Sequence, residues 1–375
     1  MKFVVIGAGI FGASVAYNLG RSGADVTVID AQCGGGATSA GAGIVCPWTS
    51  RVDNPAHYRI AQAGAHYYTR LVGELAESGI GDIGYRKVGA LVPIEGDPDI
   101  DIGAAHLRQR AADDPFAGDI SLVERSALKD IFPPLADRNP ALFVPGGARV
   151  EARTVAAAML TAAEAFGVTR LHGHVDLAPS PEKSRVGATL DGVPLDADAF
   201  VITAGAWANQ VMAKIGLRIP VVPQKGQILH FRLGGQDSKN WPVVMPQTSY
   251  YMLAFEHGRV VVGATRETPD SGFDYRVTAA GQAEVLNVAL ALAPGLADAE
   301  LIEARVGFRP WREGLTPLIG KVPGLDNLFV GDGLGPSGLT IGPFAGWLLA
   351  QTALGQPTGF DMDAYTVIPE RQYST

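Results

Sequence analysis

Cysteine is scarce in this chain, with two residues, Cys33 and Cys46, among 375. A disulfide framework is excluded, and a reducing compartment is the default. Charge is thin as well. Asp, Glu, Lys and Arg make up 18%, and 30 Lys plus Arg against 38 Asp plus Glu leave a net charge of −8. That balance argues against a nucleic-acid binder, which usually shows a basic face. Ligand spacing is missing among the histidines: His57, His230 and His257 are scattered and read as structural or surface residues, so no metal is expected. Long apolar runs are also missing. Residues 341–354 are shorter than the roughly 20 a membrane span needs. The apolar first nineteen residues carry one Lys and no small-x-small cleavage site. These absences point to a soluble, cytoplasmic protein without an integral membrane segment or a nucleic-acid partner.

What is present is apolar residues, at 47%, and glycine, at 47 residues. The first figure excludes disorder and allows a large core, and the length gives a soft expectation of two domains. The glycine excess over the roughly 7% average has no collagen-like period, so it belongs to tight turns and to places where backbone must approach something closely.

The amino terminus shows such a place. An apolar run at 3–6 leads into Gly7-Ala8-Gly9-Ile10-Phe11-Gly12, followed by a helical pattern at 13–19 and an alternating strand, DVTVID, at 25–30. This is a βαβ beginning with G-x-G-x-x-G. Gly7 permits the tight turn, Gly9 lets backbone approach a pyrophosphate, and Gly12 lets helix and strand pack closely. The helix N-terminus offers free N–H groups and partial positive charge to that anion. Asp30, closing the second strand, stands where an acid meets an adenosine ribose hydroxyl and disfavours a 2′-phosphate. FAD and NAD both remain open at this point.

Further along, 33–43 (CGGGATSAGAG) reads as a small-residue loop that allows backbone approach to a ligand. Helices are expected at 58–78, 154–166 and 279–293, with a last one starting near Pro343. Strands are expected at 85–93, 199–203, 227–232, 250–254, 259–263 and 303–308. Nucleotide-type elements thus lie at both ends and in the middle of an α/β (overall α+β) chain, with β-rich stretches between. We expect a discontinuous Rossmann-type domain at 1–80, 146–220 and 320–375, and an inserted β-rich substrate domain at 81–145 and 221–319.

Four segments in order, VVIGAGIFGASVAYNLGRSGADVTVID, GATSAGAGIVCP, VITAGAWANQV with PQKGQIL, and GFRPWREGLTPLIGKVPGLDNLFVGDGLGPSGLTIGP, resemble the D-amino-acid oxidase family of FAD enzymes. That family includes glycine oxidase, sarcosine oxidase and D-amino-acid dehydrogenase-like proteins, and the glycine oxidase branch is the nearest in pattern. The resemblance implies FAD held by Gly7, Gly9, Ile10, Phe11 and Gly12, by Asp30 and Ala31, and by Thr38, Ser39, Ala40, Gly43 and Ile44. It adds Val175, Ala204, Gly205 and Trp207, then Gly333, Gly335, Ser337, Gly338, Leu339 and Thr340. The 333–338 loop and the helix after it would direct positive charge at the flavin N1–C2=O edge.

Departures from the family pattern are informative. Ala40 stands where branches with covalently attached flavin carry His, and no Cys lies in the last segment, which implies noncovalent FAD. Leu334 replaces a His common among relatives, and Val261 replaces a strand Lys of the sarcosine oxidase branch. Asp332 resembles the strand-end aspartate that touches the ribityl chain in other flavoproteins. On the substrate side, Arg309 matches the family's carboxylate-binding Arg, whose planar fork suits a carboxylate. Tyr251 matches its active-site Tyr, and Tyr250 takes that place if the strand slips by one residue. Arg305, Trp311 and Arg312 flank the anchor. Pro336 falls where the family makes a polar contact and can donate nothing. The implied activity is FAD-dependent oxidation of a D-amino acid, glycine or N-methyl amino acid to the imino acid, by hydride transfer from Cα to flavin N5. An alternative is a FAD-bearing dehydrogenase, or a subunit of one, that passes electrons to a quinone or partner protein rather than to oxygen. A homo-oligomer or a partner subunit is compatible with either.

Overall fold

The computed structural model describes residues 1–94, 101–268 and 272–371. The chain opens with β1 (Lys2–Ile6), α1 (Ile10–Arg21) and β2 (Asp25–Asp30), then runs through α2 (Pro55–Glu77) into β3 (Ala90–Pro93), β4 (Ser121–Val123) and β5 (Ala141–Val144). It continues with α3 (Ala152–Ala165), β6 (Thr169–His172) and β7 (Ala199–Ile202). Next come β8 (Val222–Arg232), β9 (Val243–Val244), β10 (Tyr251–Ala254), β11 (Arg259–Gly263), α4 (Ala279–Leu292) and β12 (Glu300–Trp311). Strands β13 (Leu318–Lys321) and β14 (Leu328–Asp332) and helix α5 (Gly338–Ala353) follow.

Two sheets organise these elements. The first has the order β13-β14-β7-β1-β2-β6, parallel except for β13. Its central strand is continuously apolar because both faces are covered, as parallel sheets require. Phe3 and Val5 join the core formed with α1, α3 and α5, while Val4 and Ile6 join Phe200, Ile202 and Val330 on the other side. The second sheet has the order β12-β8-β11-β10-β9-β3-β5-β4 and is antiparallel apart from the β9–β3 pair. Its long strands β8 and β12 pair from Val222 opposite Trp311 to Arg232 opposite Glu300. Alternation along β8 divides the labour between the faces. Leu229 and Phe231 pack with Val285 and Ala289 of α4, while Gly226 and Ile228 face a large cavity shared with the first sheet. Among the described residues no helix is long and apolar enough to cross a membrane.

Three local expectations change. The 85–93 strand is broken at Gly89, where φ is +78°, into Arg86–Lys87 and Ala90–Pro93, which belong to different sheets. The small-residue loop contains a helical turn, Ala37–Ala40. The last helix starts at Gly338 rather than near Pro343, and Pro343 lies inside it. A proline there leaves the carbonyl of Leu339 without its helical N–H. The hydroxyl of Tyr68, in α2, donates to that carbonyl at 2.6 Å instead.

Candidate active site

The first wall of the cavity is the turn between β1 and α1. Gly7 has φ +103°, and a Cβ there would lie 2.5 Å from the carbonyl oxygen of Thr203. A Cβ on Gly12 would lie 1.8 Å from the carbonyl oxygen of Gly7. Both glycines are therefore demanded by the protein's own backbone. Gly9 meets only the Thr38 hydroxyl, at 3.3 Å, and lies on the cavity. No side chain of Gly9 can cap α1, and the Ile10 N–H is taken by Thr38 Oγ1 at 2.9 Å. Asp30 braces the turn, accepting from the N–H of Ala8 at 2.6 Å and from that of Gln32 at 2.7 Å.

The cavity measures about 830 Å³, within the size range of cofactor sites. Around it the structure gathers Gly7, Gly9, Ile10, Phe11, Asp30, Ala31, Thr38, Ser39, Ala40, Gly43, Ile44, Val175, Ala204, Gly205, Trp207, Gly335, Gly338 and Leu339, together with Tyr251 and Arg309. Four expected residues lie outside this lining. Gly12 is buried in α1, and Gly333 turns beside Arg312. Ser337 meets Nε2 of His57 at 3.1 Å, and Thr340 donates to the Ile44 carbonyl at 3.0 Å. Arg305, Trp311 and Arg312 are also outside it. Trp207 stacks on Phe273 with ring centres 4.9 Å apart, closing one side.

The second glycine-rich turn follows β14. Asp332, at the strand end, is 1% exposed and lines the cavity. Its Oδ1 accepts from the Gly333 N–H at 2.7 Å, while Oδ2 is buried without a partner. Burial pushes this carboxyl up to about 8 against the opposing pull of backbone donors. A buried carboxyl with an unpartnered oxygen at a cofactor-sized cavity is a hydrogen-bonding partner for a ligand hydroxyl. Gly333 and Gly335 have φ of +75° and +52°, and the chain then enters α5 at Gly338. A Cβ on Gly338 would meet only Leu334, at 3.8 Å.

At the sheet end of the cavity, Arg309 on β12 stands beside Gly226 of β8. A Cβ at 226 would lie 2.7–2.8 Å from the guanidinium, so the glycine makes the Arg309 side-chain position possible. The Arg309 guanidinium donates to the Thr265 carbonyl at 3.0 Å, and no carboxylate partners it among the described residues. Tyr251 faces the same cavity from β10. Burial raises its hydroxyl, opposed by the charge of Arg309. Tyr250 points elsewhere and donates to Glu284. Ile228, Leu334 and Pro336 supply apolar wall. Gly226 was not singled out from the sequence, although an isolated glycine inside a strand marks close approach of another group. The Thr265 carbonyl carries no side-chain signal and was not readable.

Comparison with known proteins agrees with this geometry. Residues 2–352 match the family described as FAD dependent oxidoreductase, DAO. An uncharacterized oxidoreductase, YurR, of Bacillus subtilis (strain 168) is 44% identical over 364 residues, 97% of this chain and 98% of that protein. The crystal structure of iminodiacetate oxidase from Chelativorans sp. BNC1 superimposes with a TM-score of 0.94 at 49% identity, covering 97% of this chain and 98% of that one. Glycine oxidase from Geobacillus kaustophilus superimposes with a TM-score of 0.85 at 25% identity, covering 98% of each chain.

Proposed function

Since this chain belongs to the DAO family of FAD-dependent oxidoreductases, we propose that it oxidises a small amino acid at a C–N bond beside a carboxylate, giving the imino acid. Its relatives are named for glycine and iminodiacetate. Each of those molecules has a nitrogen on a CH₂ next to a carboxylate, and we assign glycine and N-substituted glycines as the substrate class. FAD, held noncovalently, supplies the two-electron acceptor for the Cα hydride. The residues gathered at the Gly7–Gly12 turn would hold its pyrophosphate, Asp30 a ribose, and Asp332 with the Gly333–Gly338 turn its ribityl chain and ring.

The observation that carries the substrate reading is the Arg309 guanidinium, set beside Gly226 and bonded to the Thr265 carbonyl at the cavity wall, with no acid partner among the described residues. It binds and orients the substrate carboxylate, so that the Cα–H has one approach direction. Tyr251 borders the same space, and Ile228, Leu334 and Pro336 keep water away from the reacting carbon and disfavour a charged amine. The protein works in the cytoplasm on a small molecule and hands its electrons to oxygen or another acceptor.

An Arg–carboxylate pair is worth about 1.5–3 kcal/mol, or roughly ten- to more than a hundredfold in kcat/KM. Arg309→Ala should lose that factor towards an amino acid but not towards its decarboxylated amine, and should still bind FAD. Arg309→Lys should recover only part of the loss, because an ammonium lacks the planar fork. Kinetics on the acid and amine pair check this; an unchanged acid-to-amine preference refutes the anchor. Acid precipitation of the wild type should leave all the flavin in the supernatant, and flavin in the pellet refutes noncovalent attachment. Peroxide release during turnover distinguishes oxygen from another acceptor.

A further inference from the structure

A second, smaller cavity of about 190 Å³ shares Gly41, Ala42 and Arg153 with the large one and lies between the first turn of α3 and the second sheet. Its lining is cationic. Arg153, Arg259 and Arg305 reach it from three separate elements. Two carboxylates answer them: Glu151 pairs with Arg259, and Glu303 pairs with Arg305 at 2.6 Å and with Arg153 at 3.9 Å. Three guanidinium groups therefore share two acids, and the Nε of Arg305 is buried without a partner.

His230 is the sharper observation. It is 2% exposed and lines this cavity, yet neither ring nitrogen has a hydrogen-bond partner. Burying a polar group unsatisfied is costly, and native interiors rarely do it. The helix end adds more donors. Ala152, Arg153 and Thr154 are the first three residues of α3, all line the cavity, and no side chain caps that turn. Such leading N–H groups lack intrahelical partners and carry partial positive charge.

From this convergence we infer that the small cavity binds a small oxyanion, a phosphate or a short carboxylate, at a site separate from Arg309. Free helix N–H groups, an imidazole N–H and an unpaired guanidinium N–H are the donors such an ion takes. The ion would sit against Gly41 and Ala42, which also wall the cofactor cavity, so its occupancy braces that loop.

The test titrates the FAD-loaded enzyme with inorganic phosphate and, separately, with acetate at constant ionic strength set by sodium chloride. Calorimetry and the melting temperature are the readouts. Saturable heat with a rising melting temperature is expected from at least one of the two anions, and which one binds identifies the source. Arg305→Gln should weaken that binding by at least about tenfold, the loss of one charge-assisted hydrogen bond. His230→Phe keeps the ring's volume, removes its donor, and should weaken binding too, which covers an Arg305→Gln protein that fails to fold. Titrated in the same way, Arg309→Ala lacks the carboxylate anchor of the large cavity and should still bind at least one of the two anions saturably, because distant sites without shared partners act independently. Any of three results overturns the site: no saturable heat from either anion, unchanged affinity in both Arg305→Gln and His230→Phe, or loss of anion binding in Arg309→Ala.

Discussion

The two glycine-rich turns at the cavity, 7–12 and 333–338, look alike in sequence, and each adjoins an aspartate at a strand end. In space they differ. At the first turn the protein itself excludes side chains, since a Cβ at Gly12 would lie 1.8 Å from the Gly7 carbonyl oxygen. At the second, Gly333 and Gly335 are held by φ of +75° and +52°, but a Cβ on Gly338 meets nothing closer than Leu334 at 3.8 Å, so at Gly338 the protein itself does not require glycine. The aspartates divide the same way. Both carboxylate oxygens of Asp30 receive backbone N–H groups, whereas Asp332 keeps one buried oxygen unpartnered. The first turn is a closed structural unit that presents N–H groups, and the second is open towards whatever fills the cavity. Glycine in a turn therefore has two distinct reasons, which substitution separates.

The largest effect is expected at Gly12. Gly12→Ala forces the α1–β1 junction apart and should cost more than about 4 kcal/mol, the range reserved for gross clashes. The protein should be recovered unfolded or without flavin. A melting temperature within a few degrees of wild type would break the contrast between the turns.

Asp332→Asn comes next, and its effect depends on pH. The folded carboxyl is raised to about 8 by burial, above the unfolded value of about 3.9. Its favourable contribution is thus full below about pH 4 and is lost as pH rises through about 8. Flavin-free wild type should lose stability across that window. Asp332→Asn should be flatter there and relatively more stable at pH 9. Denaturant midpoints at pH 5, 7 and 9 measure it, and parallel profiles would mean that Asp332 is solvated.

The smallest effect on the fold belongs to Gly338→Val. With φ −53° at the start of a helix, the position accepts a side chain, and β-branching in a helix costs under about 1 kcal/mol. The flavin-free protein should melt near wild type, while FAD retention on dilution falls. Full flavin occupancy and activity in this variant would show that the second turn does not approach the cofactor.

Legibility followed the range of the interactions. The β1–α1–β2 unit was readable because its signals are local: a two-sided apolar strand, glycines at fixed spacing, and an acid closing the next strand. Arg309 and Tyr251 were reached through resemblance, and the structure places both on one cavity. The start of α5 was misread because proline ordinarily opens a helix. Its tolerance inside this one depends on a hydroxyl 271 positions away, from Tyr68 to the Leu339 carbonyl. Gly226 beneath Arg309 and the three arginines around His230 are likewise joined only across strand pairing and packing.

By itself, then, the sequence determined the parallel βαβ, because that rests on residue type and short spacing, where backbone sterics leave few choices, while the family and its FAD were reached through the resemblance of four segments and not through spacing. Tertiary structure alone decided which glycines the protein's own atoms crowd and which they leave open. It also decided that Tyr251 rather than Tyr250 faces the cavity, and that Asp332 carries a buried free oxygen. The physical reason is that burial, register and close approach belong to pairs of distant segments, and no single stretch of chain encodes its own neighbours.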